Sequence, residues 1–294
     1  MLKAAWSRLE EHLAALAPPL CHQAAALLRN MAARNRAADA AGYFDHPDTY
    51  PTPQIIAWIG ERYLPNEPHF VERILESALW LYLYIRLQDD ILDDPHARRE
   101  GLLLGNICVE RGFGGLYRLL PDSEAFQQEA GAAWSAFSAA TAWEKAEHWG
   151  RPAPFAASDL DRLGEKFAAI RLPVAAILCR AGCADLLEPY ARVLQHLGTA
   201  VQMTNDLHNW EEDRSAGNFT YFLTLAGTDP ARAVAGGAAA EECLAVARRY
   251  LGRALEALPP DGPDELRRHL TERLERLTAR QAALIRAKLG LTGL

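Results

Sequence analysis

The chain has 294 residues, half of them apolar, and a formal net charge of −7. That length buries one large core or at most two smaller ones. The acidic balance excludes nucleic acid as a general partner, since such binding needs a basic face. Ala, Leu, Glu and Arg dominate over Ile, Val and Thr, a composition that favours helix. Cys21, Cys108, Cys179, Cys183 and Cys243 form an odd, scattered set, unsuited to a disulfide framework. Cys179 and Cys183 lie one helical turn apart with no second Cys/His pair nearby, so they read as small apolar residues, not zinc ligands. Lys3, Arg8, Glu10 and Glu11 interrupt the first twenty residues, so no signal peptide is expected there. No apolar run reaches the ~20 residues that span a bilayer. The expected setting is the cytoplasm, with no integral membrane segment.

Helical periodicity runs along almost the whole chain. It predicts helices over 2–17 and 20–42 around Pro18-Pro19, then a loop over 43–53. A helix over 53–64 ends at Pro65-Asn66-Glu67-Pro68. The helix over 68–93 is apolar on nearly every face between Ala78 and Leu87, the pattern of a helix buried among others. Further helices are predicted over 101–119, 122–149, 157–182, 186–213, 229–257 and 263–289. Pro173 falls inside the 157–182 segment, where it either kinks the helix or marks a boundary between two. No alternating strand pattern of useful length occurs. The expected fold is all-α, a single domain over 1–294, built as a helical bundle around a central apolar cavity.

Two oxygen-rich segments stand out. In Asp89-Asp90-Ile91-Leu92-Asp93-Asp94, Asp89 and Asp93 share one helix face, and Asp90 and Asp94 share the neighbouring one. Like charges at this spacing repel, and a helix C-terminus disfavours negative charge. A bound cation relieves both penalties. Mg²⁺ accepts such a partial cage, because it keeps waters and substrate phosphates in its octahedral shell. Arg98 and Arg99 follow, and arginine suits bidentate contact with phosphate oxygens.

In the second segment, Asn205, Asn209 and Asp213 recur every four residues, with Gln202 one turn earlier and Asp206 on the adjacent face. Arg214 follows, and Gly217 is placed to close the helix. Both segments end apolar helices, so a bundle could aim them at one cavity mouth. Mg²⁺ there would hold the diphosphate head of a substrate whose hydrocarbon tail lies in the apolar cavity. Ionisation of an allylic diphosphate would follow, with metal and arginine stabilising pyrophosphate and dry aromatic walls protecting the carbocation.

These residues resemble the class I isoprenoid (terpenoid) synthase superfamily. Tyr84-Ile85-Arg86-Leu87-Gln88-Asp89-Asp90-Ile91-Leu92-Asp93 is similar to the YxRxxDDxxD segment of squalene and phytoene synthases. Gln202-Met203-Thr204-Asn205, with Glu212-Asp213 and Gly217, resembles their QxTNxxxDxxED…G, with Asn209 in place of an aspartate. Asp89-Asp90-x-x-Asp93 with Arg98-Arg99 resembles the DDxxD…RR of trans-prenyl diphosphate synthases, whose second DDxxD would fall on Asn205, Asp206 and Asn209. Asn205, Asn209 and Asp213 resemble the NDxx(S/T)xxxE triad of terpene cyclases. No counterpart of the chain elongators' N-terminal GKxxR is present, and their GKxT reads Gly217-Asn218-Phe219-Thr220, without its lysine.

The resemblance implies Mg²⁺, three ions in all, held by Asp89, Asp90, Asp93, Asn205, Asn209 and Asp213. It implies an isoprenoid diphosphate substrate contacted by Tyr84, Arg86, Arg98, Arg99, Gln202 and Arg214, and by Lys166 and Arg171 at a helix break that senses diphosphate. A homodimer is a further expectation. The implied activity is cyclisation or rearrangement of an ionised prenyl diphosphate. Coupling of two prenyl units, or silent binding of a prenyl diphosphate, stays open as an alternative.

Overall fold

The computed structural model describes residues 1–34, 37–45, 49–93, 101–150, 153–227 and 237–288. Its elements are α1 (Leu2–Ala14), α2 (Pro18–Arg34), α3 (Thr52–Tyr63), α4 (Pro68–Asp93), α5 (Gly101–Leu119), α6 (Glu124–His148), α7 (Leu160–Glu165), α8 (Arg171–Arg180), α9 (Leu187–His208), α10 (Trp210–Ala216), α11 (Tyr221–Ala226), α12 (Ala238–Ala257) and α13 (Asp264–Lys288). The described residues form no strand; Trp149 and Asn218 make one isolated antiparallel bridge. The fold is all-α, as composition and periodicity predict. Among the described residues no helix is long and apolar enough to cross a membrane.

The chain divides into two compact units. The first comprises Met1–Gly131 and Ile170–Leu187. Its centre is α4, which packs against α1, α3, α5 and α8. Leu79, Trp80, Leu81 and Leu83 are at most 3% exposed. This is the burial that an all-round apolar helix requires, each such side chain contributing about 1.5–3 kcal/mol of transfer free energy. α5 approaches α4 through glycines: a Cβ on Gly112 would sit 2.6 Å from Leu81 Cγ, and one on Gly105 3.5 Å from Tyr84 Cδ2.

The second unit comprises Ala132–Ala169 and Glu188–Leu294. In it α12 packs on α13 and α11. Close approach of α7 to α9 also rests on missing side chains. A Cβ on Gly164 would lie 2.6 Å from the Gln195 carbonyl oxygen, and one on Gly198 2.6 Å from Phe167 Cδ2. Thr199 Oγ1, beside them, donates to the Leu160 carbonyl at 3.1 Å and ties α9 to the start of α7.

Several expected boundaries move. The predicted 20–42 helix starts at Pro18, which tolerates a first turn where no N–H is needed. Its helical residues end at Arg34, and a 3₁₀ turn over Gly42–Asp45 enters the expected loop. The predicted 157–182 helix is four pieces: 3₁₀ turns over Ala157–Asp159 and Ala168–Ile170, with α7 and α8. The break precedes Pro173, which is the third residue of α8 and so has no intrahelical bond to lose. The predicted 186–213 helix is interrupted at Asn209. α11 was not expected; Thr220 caps it, its hydroxyl accepting from the Leu223 N–H at 3.3 Å. The start of the expected 229–257 helix lies outside the described residues.

Candidate functional site

Asp89 and Asp90 sit in the last turns of α4, in the first unit, each about one-third exposed. Arg86, one turn earlier, spans both: Nη1 donates to Asp89 Oδ2 and Nη2 to Asp90 Oδ1, each at 3.3 Å. These are i,i+3 and i,i+4 contacts, so helix geometry alone brings the groups together. Tyr82 lies one turn before Arg86, hydrogen-bonded to Tyr43 and edge-on to Phe44 at 4.8 Å between ring centres. Burial raises the Tyr82 phenol well above its ordinary range, and Tyr43 adds to this. Burial works against the Arg86 charge, but its neighbours, Asp89 and Asp90 among them, outweigh it and raise the guanidinium further above its ordinary value. Arg86 is thus a strut between a phenol pair and a carboxylate pair. It offsets the charge that a helix C-terminus disfavours.

Tyr84 is half-buried against the Gly105 face of α5. Gln88 Oε1, next to Asp89 in the chain, is buried without a hydrogen-bond partner. Asp93 closes α4, but its side chain, Asp94, Arg98 and Arg99 lie outside the described residues. Arg171 opens α8 and is engaged by Glu129, whose Oε1 accepts from Nε at 2.7 Å and lies 2.6 Å from Nη2.

The other segment belongs to the second unit. At Asn209 the backbone departs from helix, with φ −102° and ψ 14°. The Asn209 N–H still reaches the Asn205 carbonyl at 2.9 Å, and the Asp213 N–H reaches the Asn209 carbonyl at 2.9 Å. The four-residue pitch therefore survives the interruption. Asn205 is exposed; Asn209 and Asp213 are half-buried. Asn209 Nδ2 donates to Asn205 Oδ1 at 2.9 Å. Asn218 Nδ2 donates to Asp213 Oδ1, also at 2.9 Å. Asn218 stands where the resembling elongators carry lysine, and here it orients Asp213 instead. Gly217 closes α10 in the left-handed conformation, φ 75°, as its position predicts. Arg214 and His208 are exposed.

Gln202, one turn before Asn205, turns its amide to the adjacent position: Nε2 donates to Asp206 Oδ1 at 2.7 Å. Asp206 is 2% exposed. Burial pushes its carboxyl well above the usual range and Asp213 adds to this, while the Gln202 bond and Lys166 act in the opposite sense. Lys166 caps α7. Its ammonium lies 2.6 Å from Glu144 Oε2 and 2.7 Å from Oε1. Glu144 comes from α6 and is 4% exposed. The Gly164 and Gly198 contacts set α7 against α9, and so place Lys166 within the field of Asp206.

Among the described residues no group of three His, Cys, Asp or Glu side chains gathers to hold a metal. The donors present are all oxygens: the carboxylate pair on α4, and two amides with Asp213 across the α9–α10 join. Such sets fit a hard cation that takes the rest of its shell from water and phosphate, as Mg²⁺ does, not an all-protein cage. Sequence reasoning passed over Glu144, Asn218, Tyr43 and Tyr82, and kept Asp206 only as an accessory. The i,i+4 spacing of Gln202 and Asp206 was a usable signal. Nothing local marks Glu144, whose partner is 22 residues away.

No protein-family description and no curated protein matches the chain. Among solved structures it is similar to the polyprenyl synthase ISP_B of Roseobacter denitrificans, over 93% of this chain and 99% of that one, with TM-score 0.54 and 15% identity. At that identity the likeness is one of fold alone, and it agrees with the all-α architecture described above.

Proposed function

We propose that this protein is a Mg²⁺-dependent isoprenoid synthase that ionises an allylic prenyl diphosphate, releases pyrophosphate, and cyclises or rearranges the carbocation. The observation that supports it best is the likeness of fold to a polyprenyl synthase in a chain whose oxygen-rich segments end two of its long helices. Asp89, Asp90, Asp93, Asn205, Asn209 and Asp213 would hold Mg²⁺, which when bound neutralises the departing diphosphate.

The chain's own groups have separable parts. Arg86 donates to Asp89 and Asp90 and so fixes their oxygens on α4. Asn218 does the same for Asp213. Lys166, Arg98, Arg99, Arg171 and Arg214 would contact phosphate oxygens, with Tyr84 and Gln202 as neutral donors. The proposal includes a cytoplasmic, homodimeric enzyme acting on a small lipid diphosphate.

Coupling of two prenyl units is the nearest alternative, favoured by Tyr84, Arg86 and Gln202 in their motif positions. Silent binding is the other, favoured by the amide pair at Asn205 and Asn209. Incubation with allylic prenyl diphosphates of increasing length, with and without Mg²⁺, tests all three. Pyrophosphate release and products carrying one substrate's carbons support the main reading. Products carrying two substrates' carbons support coupling. Binding without release supports a silent protein.

A further inference from the structure

We propose that Glu144 is a positioning residue for Lys166: a resident counter-ion that fixes the ammonium in place and weakens its pull on pyrophosphate. The inference rests on the proposed function, and deepens it by assigning a role to a residue outside both motifs.

Glu144 is nearly sealed from solvent, at 4% exposure. A carboxylate survives there only if paired. Both of its oxygens face Lys166 Nζ, at 2.6 and 2.7 Å. The Lys166 side chain, unlike that of Glu144, keeps about one-fifth of its surface exposed, and a soluble anion would approach the pair from that exposed part. As a device for stability alone such a pair is poor, because packed apolar residues do as well or better. The polar region also extends beyond the pair. Thr141, one turn before Glu144 on the same α6 face, is 5% exposed, and its Oγ1 has no hydrogen-bond partner. A buried hydroxyl left unsatisfied is costly unless some other group is to meet it. Gly164, two residues before Lys166, permits the close approach of α7 to the Gln195 backbone of α9.

An incoming pyrophosphate must therefore share the Lys166 ammonium with a carboxylate already bound to it. The competition keeps substrate affinity modest and lets product leave. Removing the Glu144 charge should tighten pyrophosphate binding, the reverse of what loss of a purely structural group would do.

The test is titration of the full-length chain with inorganic pyrophosphate in excess Mg²⁺. Glu144→Gln is expected to lower Kd about fivefold to tenfold, well within the reach of one neighbouring charge at a half-buried site. It should also lower kcat together with KM as release slows. In a Lys166→Met background the same substitution should leave Kd unchanged. Glu144→Asp, which withdraws the carboxylate by one methylene, should fall between wild type and Glu144→Gln, and carries the test if Glu144→Gln does not fold. An unchanged or weakened Kd in a folded variant overturns the inference, as does a gain that persists without Lys166. If wild type binds no pyrophosphate with Mg²⁺, the proposed function fails as well; if it binds and the variants show no coupling, only the role of Glu144 fails.

Discussion

Asn209 Nδ2 donates to Asn205 Oδ1 at 2.9 Å, so two of the expected metal ligands satisfy each other before any ion arrives. Carboxylates at these positions would repel across one turn, beside the already raised Asp206 and the Asp213 carboxylate. Amides avoid that repulsion, at the cost of a weaker hold on a hard cation. The segment thus carries its own hydrogen bond without metal.

Converting the pair to carboxylates should reverse that balance. Asn205→Asp/Asn209→Asp is expected to lower stability without metal by roughly 0.5 kcal/mol, the scale of a like-charge helical pair. Excess Mg²⁺ should restore it, so Tm should rise with metal more in the variant than in wild type. Equal Mg²⁺ response in both would count against metal binding at this segment.

Arg86 offers a parallel test on α4. Arg86→Gln leaves Asp89 and Asp90 adjacent at a helix end with no bridging guanidinium. Loss of hydrogen bonds between charged, part-buried groups costs roughly 1–2 kcal/mol. Denaturant unfolding should show this loss in the absence of metal, reduced when Mg²⁺ is present. A loss that metal does not change would make Arg86 a purely structural strut.

The approach of α7 to α9 should be intolerant of a methyl group. Gly164→Ala meets the Gln195 carbonyl at 2.6 Å, and Gly198→Ala meets the Phe167 ring at the same distance. Overpacking costs about 1–3 kcal/mol. Backbone yields less than a side chain, so Gly164→Ala should be the worse of the two by chemical denaturation.

His269 on α13 gives the clearest pH signature. Burial, then Arg273 and Arg276, lower it from 6.5 to about 4. The folded state therefore binds fewer protons than the unfolded chain between these values. The stability this neutral imidazole preserves is present above pH 6.5 and is lost as pH falls toward 4, by about 3 kcal/mol in all. His269→Leu should flatten that part of the stability profile. An unaltered slope would show that other groups set it.

Much of the first unit was legible because α4 is apolar on every side and ends abruptly in aspartates; periodicity and one charge pattern suffice to place Asp89 and Asp90. The helix ends were less so. Whether the chain breaks at Pro173 or ahead of it depends on where the 3₁₀ turn over Ala168–Ile170 packs, and a proline in a first turn looks in sequence like one inside a helix. The interruption at Asn209 was hidden for a similar reason, since the hydrogen-bonded pitch runs through it unaltered. Glu144 illustrates the remaining limit: its meaning comes from Lys166 across two intervening elements, and no local pattern encodes such a contact.

The most direct measurement is pyrophosphate release from an allylic prenyl diphosphate by wild type and by an Asp89→Ala/Asp93→Ala double variant, each with and without Mg²⁺. The account predicts release by wild type only with Mg²⁺, and a fall of at least about 100-fold in the folded double variant. Undiminished release by that variant, or none by wild type at any chain length, would contradict it.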